Sequence, residues 1–212
     1  MTRKDLMYRQ ISKLREIHGA KHFGFIPKTY ILPNEFAYLE EDMKQNVGKK
    51  WIVKPAASSQ GRGIFVTSNL AEIPHKDKQF VVSEYVSSPL LFNGFKFDLR
   101  IYVALTSVNP LRLYIYEEGL TRFATCKYSE EGAAGSRKAT KFMHLTNFSV
   151  NKKNINFVKT NNAEEDGQGS KWSLSALRNA LRAQGIDDTA IWKKIEDICI
   201  KTVISAEPAM FQ

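Results

Sequence analysis

The chain lacks any run of about eighteen apolar residues, the length a membrane-spanning helix needs. Its first residues, Met1-Thr-Arg-Lys-Asp5, lead into an amphipathic pattern and not into the apolar core of a secretory leader. Both absences argue for the cytosol or a cytosolic structure, with no membrane partner. Cysteine is scarce. Cys126 and Cys199 are the only two, they have no metal-ligand spacing, and they sit in apolar-patterned segments as reduced side chains. His144 has no second histidine or cysteine at ligand spacing, so it reads as a packed structural histidine. Internal repeats and Lys/Arg-rich blocks are missing as well.

What is present is an ordinary globular composition, 43% hydrophobic and 25% charged over 212 residues, enough to bury a core as one domain or two lobes. The net charge of +9 predicts attraction to a polyanion. Nucleic acid, an acidic membrane and acidic protein tails all qualify on sign alone.

Periodicity divides the chain. Leu6, Met7, Ile11, Leu14 and Ile17 predict a helix over 3–18, stopped by Gly19. Pro27 and Pro33 bracket an extended stretch at 28–32, and Asn34 is placed to cap a short helix carrying Phe36, Leu39 and Met43. From Trp51 the pattern turns to short β-rich runs at 51–54, 63–67, 80–86, 97–106, 111–116 and 122–128. The runs at 97–106 and 111–116 read as an antiparallel hairpin, and no β-helix-β alternation appears, which predicts an α+β fold. Polar, small-residue stretches at 132–141 and 151–170 read as mobile loops. Two helices close the chain, one from about Lys171 to Gln184 and one starting near Asp187 with Ile191, Ile195, Ile198 and Thr202 on a face.

Three segments are candidates for chemistry. Trp51-Ile-Val-Lys54-Pro55 sets a lysine at a strand exit, ahead of Ser58-Ser-Gln60-Gly61-Arg-Gly63. A lysine there can meet a phosphate as a point charge, and glycines let backbone N–H groups approach phosphate oxygens. The lysine precedes the glycines, so this is not a P-loop, and a surface hairpin is the plain alternative. Phe80-Val-Val-Ser83-Glu84-Tyr85-Val86 is a buried-type strand with a polar end that can offer backbone bonds to a flat base. In Lys96-Phe-Asp98-Leu-Arg100, alternation puts the three charges on one face, as a solvated sheet face with ion pairs would also do. The third segment, from Lys141 to Lys152, interrupts an apolar stretch with Thr146, Asn147 and Ser149, whose partners are a ligand or an Asx turn.

In order, WIVKP, SSQGRGI, FVVSEYV, NGFKFDLRIYVALTS, GLTRFATCKY, KFMHLTNFSVNKKN and GSKWSLSAL, preceded by TRKDLMYRQI and FIPKTYILPNEF, resemble the tubulin–tyrosine ligase-like family, in its protein polyglutamylase branch. The resemblance implies an ATP-grasp fold of two lobes clasping ATP, with a lead-in at 1–50, a central lobe at 51–85 and a C-terminal lobe at 86–212. It implies that Lys54, Gln60, Gly61, Ser83, Glu84, Tyr85, Val86, Lys96, Asp98, Thr146 and Asn147 bind ATP. Arg100 and Arg122, with Lys54, would be catalytic, and Arg122, Phe148, Ser149 and Lys171 would hold free L-glutamate. The acceptor would be the acidic C-terminal tail of tubulin, and the protein a monomer of the cytoplasm and cytoskeleton, with cilium or basal body as further candidates. Mg²⁺ is an implied cofactor, with its ligands expected beyond Gln212. Gln60 and Phe148 depart from the family's usual arginine and tyrosine, so acceptor choice and rate are open at those positions. A truncated, inactive form that binds nucleotide or tubulin, and glycine or tyrosine as donor, remain alternatives. Nucleic acid is not expected, since no groove-reading or stacking motif accompanies the charge.

Overall fold

A computed structural model of the chain describes residues 3–76, 78–129, 137–159 and 166–210. They form two units, one of Met1–Ser87 with Thr202–Gln212 and one of Ser88–Lys201. The architecture is α+β with two antiparallel sheets, as the sequence predicts.

In the first unit, helices α1 (Lys4–His18) and α2 (Ala20–Phe23) precede strand β1 (Thr29–Leu32), helix α3 (Phe36–Gln45), and strands β2 (Trp51–Pro55), β3 (Phe65–Thr67) and β4 (Phe80–Glu84). The sheet runs β1-β4-β2-β3. Alternation on β2 turns Trp51 and Val53 into the core, where they meet Tyr30, Leu32, Leu39 and Val82. Burying a side chain such as Leu39 stabilises by roughly 1.5–3 kcal/mol. The same alternation sends Ile52 and Lys54 to the other face. Two expectations fail here. Asn34 is not a cap: Glu35 precedes α3 with no side-chain cap bond, and its carboxylate instead accepts from the Ile31 N–H at 2.6 Å. On α1, Ile11 is buried but Leu6 and Ile17 are exposed, because the inward stripe runs through Lys4, Met7, Ile11 and Leu14.

The second unit contains β5 (Leu91–Phe92), β6 (Phe95–Ser107), β7 (Arg112–Phe123), α4 (Arg137–His144), α5 (Phe148–Asn151), β8 (Lys171–Ser173), α6 (Leu174–Ala183) and α7 (Asp188–Met210), whose residues from Thr202 belong to the first unit. Its sheet runs β5-β6-β7-β8. Phe97 and Leu99 pack with Phe123 and Trp172 beneath Leu177 and Leu181 of α6. The runs read as separate strands at 111–116 and 122–128 are one strand to Phe123, which pairs with β6 on both sides of a register shift at 116–118. Lys171 opens β8 and not a helix, since Ser173 caps α6 by accepting from the Ala176 N–H at 3.0 Å. Of the stretches read as mobile loops, 137–141 is helical as part of α4 and Asn151 ends α5, while 132–136 and 160–165 lie outside the described residues.

Candidate functional site

In the first unit, the outward face of β2 presents Lys54. Burial, followed by the nearby charge of Lys4, holds its ammonium below the ordinary lysine value. Lys4 heads the inward stripe of α1, and its ammonium donates to the carbonyls of Ser58 at 2.5 Å and Pro55 at 3.3 Å. Two cations therefore flank the start of the glycine-containing loop. That loop turns through the left-handed region at Gln60, Gly61 and Gly63, and a Cβ on Gly63 would stand 2.9 Å from the Pro55 ring. Arg62 donates to the Gln60 side chain at 3.0 Å. Lys4 was not a sequence candidate; a lysine leading an otherwise apolar helical stripe was the available signal.

At the far end of this sheet, β4 delivers Ser83, Glu84 and Tyr85. Ser83 is buried with its hydroxyl 2.9 Å from that of Thr29. Glu84 pairs with Lys49 at 3.0 Å. The N–H groups of Glu84 and Tyr85 donate to the carbonyls of Lys28 and Lys50 at 2.8 and 2.9 Å, which ties this strand end to the chain on both sides, and Val86 just beyond it is exposed.

In the second unit, register gathers the candidates. Asp98 lies opposite Arg122, which lies opposite Lys171, and Lys96 and Arg100 flank Asp98 at spacing two on β6. Directly opposed residues share a sheet face, so Lys96, Asp98, Arg100, Arg122 and Lys171 all stand on the face away from the aromatic cluster. A register shift after Ile101 ends this shared face. Arg122 grips Asp98 through Nη2 at 2.7 Å and Nε at 2.9 Å. Asp98 also accepts from the Thr146 hydroxyl. Four cations around one carboxylate leave the face positive, which suits polyphosphate or carboxylate groups.

The segment after α4 borders that pair. Asn147 precedes α5 without a side-chain cap bond, and Ser149 is half-buried. Phe148 is exposed, edge-on to Phe157 at 5.6 Å with the Lys152 ammonium 5.4 Å from its ring centre. His144 is buried edge-on to Tyr128. Behind the segment lies Asn151, buried and fully hydrogen-bonded, which sequence reasoning passed over because one asparagine among several carries no periodic signal. Among the described residues no group of three or more His, Cys, Asp or Glu side chains is placed to hold a metal ion. Nor is any described helix long and apolar enough to cross a membrane.

The sequence profile of the tubulin-tyrosine ligase family matches residues 1–212. Tubulin polyglutamylase TTLL5 of Homo sapiens is 45% identical over 210 residues, 99% of this chain and 16% of its own length. Tubulin monoglutamylase TTLL4 of Mus musculus is 46% identical over 207 residues, covering 97% of this chain and 17% of its own length. Tubulin polyglutamylase TTLL6 of Mus musculus is 41% identical over 209 residues, 98% of this chain and 24% of its own length. The chain thus spans at most about a quarter of each of these relatives.

Proposed function

The chain belongs to the tubulin-tyrosine ligase family, and from that premise we propose that it carries the nucleotide and amino-acid groups of an ATP-grasp ligase that joins glutamate to glutamate side chains of tubulin tails. The observation that carries this reading is the single sheet face bearing Lys96, Asp98, Arg100, Arg122 and Lys171. Relatives named as tubulin polyglutamylases and monoglutamylases support glutamate as donor and tubulin as acceptor.

A carboxylate is a poor electrophile at neutral pH, so the proposed reaction first transfers the terminal phosphoryl group of ATP to an acceptor side-chain carboxylate, giving an acylphosphate and ADP. The amino group of free glutamate then attacks the acyl carbon and displaces inorganic phosphate, forming the amide. Both steps gather negative charge that cationic side chains must neutralise without reorganising. In this scheme Lys54 meets the phosphates beneath Gln60 and Gly61, with Lys4 as a second cation. Ser83, Glu84, Tyr85 and Val86 receive the base, and Lys96, Asp98, Thr146 and Asn147 complete the nucleotide contacts. Arg100 and Arg122 offset charge on the phosphoryl group, while Arg122, Phe148, Ser149 and Lys171 hold the incoming glutamate. The guanidinium of Arg122 suits two planar acceptors in a way an ammonium does not. The positive balance of the chain suits an acidic tail, and we place the protein as a monomer on the cytoskeleton.

The test offers the full-length protein ATP, Mg²⁺ and tubulin with labelled glutamate, glycine or tyrosine singly. Incorporation of glutamate alone supports the reading; incorporation of another donor alone reassigns it, and no ATP-dependent incorporation of any rejects it.

A further inference from the structure

Asn151 is 1% exposed, and its amide uses its whole bonding capacity inside the second unit. Its Oδ1 accepts from the Thr125 N–H at 3.0 Å and the Thr125 hydroxyl at 2.8 Å. Its Nδ2 donates to the carbonyl of Leu145 at 2.6 Å and to that of Asn147 at 3.1 Å. The Asn154 amide backs this up by donating to the Thr125 hydroxyl at 2.8 Å.

These partners belong to two segments. Thr125 follows the strand that carries Arg122, and the intervening Ala124 N–H is fixed to the Lys96 carbonyl at 2.8 Å. Leu145 and Asn147 flank Thr146, whose hydroxyl donates to Asp98. One buried side chain therefore ties the chain leaving Arg122 to the segment that delivers Thr146 onto the Asp98–Arg122 pair. Only a side chain with two donors and an acceptor at this reach satisfies both segments. A carboxylate would set an acceptor against two carbonyls, and a hydrocarbon would leave them and the Thr125 N–H unpaired.

We propose that Asn151 is a positioning residue of the ligase reaction, acting through Thr146 to hold Asp98 and Arg122 in their productive geometry. This rests on the functional reading of that charged face given above. A side chain that only supports the fold would change stability and leave the kinetics of the folded fraction intact, whereas a positioning residue changes turnover in protein that remains folded.

The experiment compares Asn151→Asp, Thr146→Val and the double variant in the full-length protein, measuring kcat and KM for ATP-dependent glutamate transfer beside thermal unfolding. The expected result is a kcat at least tenfold lower for Asn151→Asp in folded protein, with a double variant no more than about twofold worse than the poorer single one, because both changes break one chain of contacts. Should Asn151→Asp fail to fold, Thr125→Val, which removes one partner of the same amide, replaces it in the cycle. Multiplicative effects of the two changes, or a normal kcat in folded Asn151→Asp, overturn the inference while leaving the functional reading intact. A wild-type protein that transfers no glutamate overturns that reading and this inference with it.

Discussion

Asp98 and Arg122 stand directly opposite each other on β6 and β7, joined at 2.7 Å from Nη2 to Oδ1, with Thr146 donating to the same carboxylate. A partly exposed ion pair of this kind contributes about 0–1 kcal/mol to stability, so the pair's value to the fold is small. Arg122→Lys keeps the charge and loses the planar fork. It should shift the unfolding free energy by under about 1 kcal/mol yet lower kcat/KM for glutamate transfer by about a hundredfold, the scale seen when one charge-stabilising donor is removed. Unfolding curves and initial rates on one preparation check both halves.

Lys54 supplies a pH prediction. Burial first, and Lys4 second, hold its ammonium below the ordinary lysine value. A bound phosphate favours the charged form and raises that value, so binding takes up a proton. ATP affinity should therefore fall as pH rises through the lowered value of the free protein, before the ordinary lysine range near about 10.4 is reached. Titration calorimetry across that range should show this decline, and Lys54→Arg, charged throughout, should flatten it.

Much of this was legible beforehand because it rests on alternation. The charged face of β6, the lysine at the exit of β2 and the 97–116 hairpin each follow from period two and turn residues. Register was not legible: that Arg122 faces Asp98, and that Lys171 joins them from a strand, depends on long-range pairing. Helix α4 was hidden because 132–141 reads GAAGSRKATK, a composition that resembles a loop. The structural use of the Ser83 hydroxyl beside Thr29 needed the neighbouring strand to be seen.

Asp188 ties the start of α7 to α6. The hydrogen bonds of Arg182 and then Arg178 hold its carboxyl at about 2. A carboxyl lowered on folding adds stability that is present above its unfolded value near about 3.9 and is lost as pH falls through its folded value. Asp188→Asn should therefore lower the melting temperature at neutral pH. The gap from wild type should narrow between about pH 4 and pH 2, as melting curves across that window will report.

Gly119 lies opposite Ile101 where β6 begins its register shift, and a Cβ there would stand 2.4 Å from the Arg100 carbonyl oxygen. Backbone cannot yield as a side-chain tip does. Gly119→Ala should force the two strands apart and destabilise the second unit by about 1–3 kcal/mol, with a matching loss of Arg100-dependent activity. Denaturant titration and transfer rates measure the two effects.

The central claim is that phosphoryl transfer activates the acceptor carboxylate before the amine attacks. It is tested most directly by following heavy oxygen placed in the acceptor side-chain carboxylates of tubulin during ATP-dependent glutamate transfer by the full-length protein. The account predicts that one heavy oxygen leaves with inorganic phosphate for each glutamate joined. Glutamate joined with phosphate free of the heavy isotope would contradict it.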